Sequence, residues 1–236
     1  MKKADVMFVL LLLGVFLPFL VSDSVREYYT EAVVRHALMT SFLKFCFLAT
    51  LGEVIGLRLS QGVYRRPGFG LLPRALFWGC TGILIKIAFT IFAGGAPIFV
   101  NRYVLALPPN VLAGAFSAEK FIAALAISVS MNFMFAPLFM VLHKISDLHI
   151  QETGGTLRGY LAGIDFSGIL SRIDWSVMWG FVFKKTLPLF WVPAHTITFL
   201  LPPHHQVLFA ALLGVVLGVI LALAGRSESR TAEQTG

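Results

Sequence analysis

Residues 181–205, FVFKKTLPLFWVPAHTITFLLPPHH, combine a membrane-soluble composition with features that a membrane helix avoids. Lys184, Lys185 and His195 carry titratable groups into an otherwise apolar run, and Pro188 and Pro193 each remove a backbone donor from it. A lysine at the bilayer centre costs about 2.5 to 3.5 kcal/mol on insertion scales, so each needs a partner, water or a surface. Which of the three applies decides what kind of helical body this stretch belongs to.

The rest of the chain sets that stretch in lipid. Of 236 residues, 57% are hydrophobic and 13% charged, and the mean hydropathy is +0.82, too apolar for an ordinary soluble domain. Apolar runs near the length needed to cross a hydrocarbon core of about 30 Å recur at 6–21, 36–57, 74–100, 119–142, 175–200 and 206–224. Backbone groups in lipid must be satisfied within the segment, so the expected fold class is all-α. It is a polytopic transmembrane bundle of six helices with the fifth kinked, one domain over 1–225 and a disordered polar tail at 226–236. The first run, preceded by Lys2 and Lys3, reads as a retained anchor, with a secretory signal peptide as the alternative. The net charge of +7 forms no basic stripe and points away from nucleic acid. Cys46 and Cys80 lie inside expected spans and read as free thiols.

Alternate sides of the six spans carry unequal numbers of basic residues. Arg58, Arg65, Arg66, Arg74, Lys144, Arg158 and Arg172 fall on the same side as both termini, whereas Arg26, Arg35, Arg102 and Lys120 fall on the other. Both termini therefore read as cytoplasmic, in a bacterial cell membrane, with a mitochondrial inner or peroxisomal membrane as the alternative. Four lysines remain inside spans: Lys44, Lys86, Lys184 and Lys185. Lys44 is near enough to a span end to extend to the interface. The other three lie roughly 14 to 18 Å along their helices, at mid-membrane depth. Glu53 is the one clearly intramembrane carboxylate and cannot neutralise three ammoniums. The expectation is that water inside the bundle keeps them charged, with deprotonation by burial as the alternative.

Ser128, Asn132, Phe139 and His143 share one face of the fourth span, where interhelical hydrogen bonding and pore lining are both open readings. Ala210, Gly214, Gly218 and Ala222 repeat every fourth residue on the sixth span, and Gly52 and Gly56 do so on the second; each stripe lets another helix approach closely, and the two spans read as scaffold. The loop at 143–174 should hold either a short interfacial helix in its second half or plain loop.

Several of these residues fall into a recognisable arrangement. Trp191, Phe199 and Pro203 stand eight and four residues apart, with His195 and Thr198 between them; Asn132 precedes Pro137 by five; Gly52 is followed by Glu53. Over about 36–224 this resembles the Mpv/PMP family of small membrane proteins of peroxisomes and the mitochondrial inner membrane, with bacterial relatives. The family usually has Gln and Asn where this chain has His195 and Thr198, and Asp and Gln where it has Met131 and Leu57. The resemblance implies a small channel-like helical protein for small solutes, without established catalytic residues.

Together these readings favour a channel or pore-like facilitator for small solutes or anions. Its path would run through the third to fifth spans and use Lys86, Lys184 and Lys185 with Glu53, Ser128, Asn132, Trp191, His195 and Thr198. The alternatives are an accessory or structural membrane subunit and, less favoured, a lipid-directed enzyme. No HExxH or paired-carboxylate pattern accompanies the six histidines, so no catalytic residue, cofactor or metal is expected. The expected partners are lipids, small solutes and a second copy of the chain.

Overall fold

The computed structural model describes residues 3–235, with side chains described as far as Ile220. All regular structure among the described residues is helical. The tail at 226–236 lies outside the fully described residues.

α1 (Lys3–Val21) buries none of its residues. It is held at one end, where Asp5 pairs with Arg58 at 2.7 Å and accepts from the Tyr64 hydroxyl at 2.9 Å. α2 (Asp23–Arg35) follows after one residue, because the Ser22 hydroxyl accepts from the Val25 N–H and starts a new helix. α2 is polar and amphipathic, and its Tyr29 ring lies 5.0 Å from the Lys44 ammonium. Burial pushes the Tyr29 hydroxyl up to about 12.

The centre of the bundle is α3 (Ala37–Gln61), packed between α4 (Leu71–Tyr103) and α11 (Pro203–Thr235). The small-residue stripes of α3 and α11 meet each other. A Cβ on Gly52 would sit 2.9 Å from the Val215 Cα, and one on Gly218 would sit 3.3 Å from the Gly52 carbonyl oxygen. Phe45, Leu48, Ile85, Phe89, Ile127, Phe139 and Phe199 fill the core between these helices and the next pair.

α5 (Ala118–Met134) begins at Ser117, whose hydroxyl accepts from the Lys120 N–H. It runs into α6 (Ala136–Glu152) through a bend of 47°. Pro137, just past the bend, has no N–H to offer the preceding turn, which accounts for the break. The fourth expected span therefore does not end at 142 but continues bent to Glu152. Short helices follow: α7 (Leu157–Tyr160), α8 (Phe166–Arg172) and α9 (Trp175–Val177). α8 is the helix expected in the second half of the loop. It lays Ile169, with Ile173 just beyond it, against Ile145 and Met178. The Asp174 carboxylate caps α9, and the Ser176 hydroxyl and the Ser176 and Val177 amides hold it below the usual range.

From α9 the chain stays helical to Leu200, but not as one regular helix. A π-helical segment, Met178–Trp191, contains Pro188 and passes into α10 (Val192–Leu200). The Val192 N–H reaches back five residues to the Leu187 carbonyl. Pro193 falls in the first turn of α10, where its missing N–H costs nothing. The fifth expected span is thus interrupted rather than simply kinked. Taken singly, α1, α3, α4 and residues 203–220 of α11 are long and apolar enough to cross a membrane, which gives four; the bent α5–α6 pair makes up to five. That count falls short of the expected six because Trp175–Leu200, although helical throughout, changes hydrogen-bond register and is divided into pieces each too short to be counted singly.

Candidate functional site

Arg74 defines one end of the site. It stands in the first turn of α4 and makes three contacts: Nε donates to the Phe69 carbonyl at 2.7 Å, while one terminal nitrogen donates to Asp147 Oδ1 at 2.6 Å and pairs with Glu53 Oε2. A guanidinium buried to this degree requires such partners, and two helices and a loop supply them. Trp78, one turn further along α4, donates its Nε1–H to Glu53 Oε1 at 2.6 Å. Beside it, the His143 ring lies 4.8 Å from the Trp78 ring. His143 Nε2 is 3.7 Å from Glu53 Oε1 and 4.0 Å from Asp147 Oδ2, within ion-pairing distance of both carboxylates but making no hydrogen bond. The loop beneath depends on glycine: Gly155 has φ +69°, and a Cβ there would sit 2.7 Å from the Gly70 nitrogen.

A neutral cluster forms the other end. Asn132, fully buried on α5, donates Nδ2–H to the Ser128 carbonyl at 2.9 Å and lies 3.0 Å from His195 Nδ1. The Ser128 hydroxyl donates to the Val192 carbonyl at 2.7 Å, tying α5 to the start of α10. His195 stacks on Trp191 with ring centroids 5.1 Å apart and meets the edge of Phe89 at 5.9 Å. Trp191 Nε1–H is buried without an acceptor. Trp78 and Phe89 are eleven residues apart on α4, so the two ends are separated by roughly 16 Å.

Between them lies a cavity of about 420 Å³, enclosed by α3, α4, α5, α6, the end of the π segment, α10 and α11. Glu53, Asn132, Trp191 and His195 line it, as do Arg74, His143 and Asp147. Ser128 stands behind Asn132 as its support. Thr198 is fully buried and turns its hydroxyl to the Ala194 carbonyl at 2.9 Å, a bond within its own helix.

The lysines are placed differently from expectation. Lys184 and Lys185 are exposed on the outside of the π segment, whose buried residues are Met178 and Leu187. Lys184 reaches toward the Trp179 ring, 5.7 Å from its centroid. Lys86 lines a separate groove of about 670 Å³ with Thr90, Asn101 and Gln206. None of the three lies on the central cavity, so the expected lysine path is not assembled. Depth along a helix was readable, but the face was not, because a π register turns side chains away from the 3.6-residue pattern.

Arg74, Trp78 and Asp147 were missed as site residues. Charge counting places Arg74 at a cytoplasmic edge, and nothing in the hydropathy pattern marks Trp78 or Asp147 as facing a cavity. Glu53, His143 and Asp147 place one potential metal ligand each within 4.8 Å of one another. Arg74 already neutralises both carboxylates from the other side, which weakens the trio as a cation trap.

Fold and site together describe a helical architecture of the multi-pass membrane type, with an internal cavity charged at one end and neutral at the other. The chain matches no family model, no curated protein and no solved structure.

Proposed function

We propose that the protein is a small membrane facilitator, of the kind its resemblance to the Mpv/PMP family implies, in which a small solute occupies the cavity between α3, α4, α5–α6, α10 and α11. The observation that carries the reading is a pair of unmet hydrogen-bonding atoms in the cavity wall. His143 Nε2 and Trp191 Nε1 belong to lining residues and lack hydrogen-bond partners. Buried polar groups in native proteins are rarely left unsatisfied, and a solute passing through would satisfy them in turn. Passage, rather than bond chemistry, is the proposed activity. With Trp175–Leu200 crossing as one interrupted span, the surplus of Arg and Lys on one side supports both termini being cytoplasmic.

Gly214 provides the test. It lines the cavity, and a Cβ there would meet nothing within 4 Å. Gly214→Phe should fill the cavity without displacing the helices. In proteoliposomes, wild type should raise the flux of small polar solutes such as glycerol or acetamide several-fold above protein-free vesicles, and Gly214→Phe should return it to background. Wild-type flux equal to that of empty vesicles would remove the transport reading and leave the structural-subunit alternative.

A further inference from the structure

The neutral end of the cavity has a definite hydrogen-bonding polarity. The Ser128 carbonyl can only accept, so the Asn132 amide must turn its nitrogen toward it, at 2.9 Å. The second hydrogen of that nitrogen is directed to His195 Nδ1 at 3.0 Å. Nδ1 is then the acceptor, and the imidazole proton belongs on Nε2. His195 Nε2 has no partner among the described residues, and neither does Trp191 Nε1. Two stacked rings, 5.1 Å apart and 25° from parallel, thus present two neutral N–H donors with nothing to donate to. Around them Phe89, Ile85 and Met131 are apolar, the Ser128 carbonyl is taken by Asn132, and Asn132 Oδ1 lies 3.3 Å from His195 Nδ1 rather than against either free N–H.

We infer that Trp191 and His195 form a subsite for an uncharged oxygen acceptor, a carbonyl or hydroxyl of a small organic solute. Charge selects the neutral form. No cationic side chain lines this end, and Arg74, roughly 22 Å away along α4, is already shared between Glu53 and Asp147. A carboxylate held here would lose its hydration with no counter-ion, a far larger penalty than a carbonyl meets. The anion preference expected from the lysines does not apply to this cavity, because those lysines are elsewhere. The inference rests on the reading of the cavity as a solute site.

The indole N–H resonance of Trp191 reports the contact directly, identified by its loss in Trp191→Phe. Trp78 and Trp175 serve as internal references, since their Nε1–H groups already donate to Glu53 and to the Leu170 carbonyl. Titrating acetamide into the full-length protein in nanodiscs should shift the Trp191 signal downfield and saturate, leaving Trp78 and Trp175 in place. Acetate should bind at least fivefold more weakly. His195→Phe keeps the stacked ring but not the donor and should weaken acetamide binding about fivefold, the worth of one net hydrogen bond. A Trp191 signal indifferent to acetamide, or moved as readily by acetate, overturns the subsite, as does unaltered affinity in His195→Phe. Saturable acetamide binding without flux in proteoliposomes would keep the subsite and defeat the facilitator; flux with a static Trp191 signal would do the reverse.

Discussion

Arg74 illustrates how one side chain can organise a membrane site. It ties Glu53 of α3 and Asp147 of α6 to the first turn of α4, with the Phe69 carbonyl holding the root of the fork. Replacing it with methionine leaves two carboxylates facing each other without a counter-charge. The side chains of Glu53 and Asp147 remain 20% and 23% exposed, so the loss should fall toward the lower end of the roughly 3–5 kcal/mol expected for breaking a buried pair. Thermal unfolding in detergent should show it, and adding Glu53→Gln and Asp147→Asn should restore most of it. Arg74→Met that melts with the wild type would mean the three charges are solvated independently. At this scale the sequence was informative where chemistry is local. Glu53, Asn132, Trp191 and His195 were named from spacing and resemblance, and they meet on one cavity. It was uninformative for the lysines, since hydropathy gives depth in the bilayer but not which way a side chain turns.

Elements were legible in proportion to their regularity. α3, α4 and α11 follow from uninterrupted apolar runs, and their close packing follows from Gly52, Gly56 and Gly218. The bend between α5 and α6 has its cause in Pro137, yet hydropathy ends the span ten residues short, because polar residues after Leu142 resemble a loop. Those residues turn inward instead, with Ser146 and His149 buried among α7 and α8. The π segment left no signal beyond Pro188, since a change of hydrogen-bond register alters no residue type. A test at this scale contrasts two glycines facing the α3–α11 seam. Gly52→Ala puts a methyl group 2.9 Å from the Val215 Cα, backbone that cannot swing aside, so the helices must separate at a cost of about 1–3 kcal/mol. Gly214→Ala meets open space and should be neutral or gain up to about 1 kcal/mol from helix propensity. Paired melting curves check the contrast. Equal effects at both positions would mean that α3 and α11 do not approach as closely as Gly52 and Val215 indicate.

The molecule as a whole separates into a packed body and one peripheral helix. α3, α4, α5–α6, α10 and α11 enclose the cavity, while α1 buries no residue although it is the most apolar span in the chain. Its 19 residues rise roughly 28 Å, enough to match a hydrocarbon core, so lipid accounts for its surface without any protein partner. Its tether is polar and local: Asp5 on Arg58 and Tyr64, with the Phe8 ring 4.6 Å from the Tyr64 ring. Aromatic contact higher up is limited to Phe16 against Phe47 at 6.2 Å and Phe19 against Tyr29 at 5.6 Å. Deleting residues 1–21 should therefore leave the body intact. The body would lose the Asp5–Arg58 pair, three aromatic contacts and the Phe16 edge of the core. The truncated protein should melt within a few degrees of the full chain and give the same Trp191 indole shift, since none of the cavity wall comes from α1. A truncated form that unfolds, or whose Trp191 signal moves, would show that α1 braces the bundle through the Arg58 end of α3, and the division between body and peripheral helix would have to be abandoned.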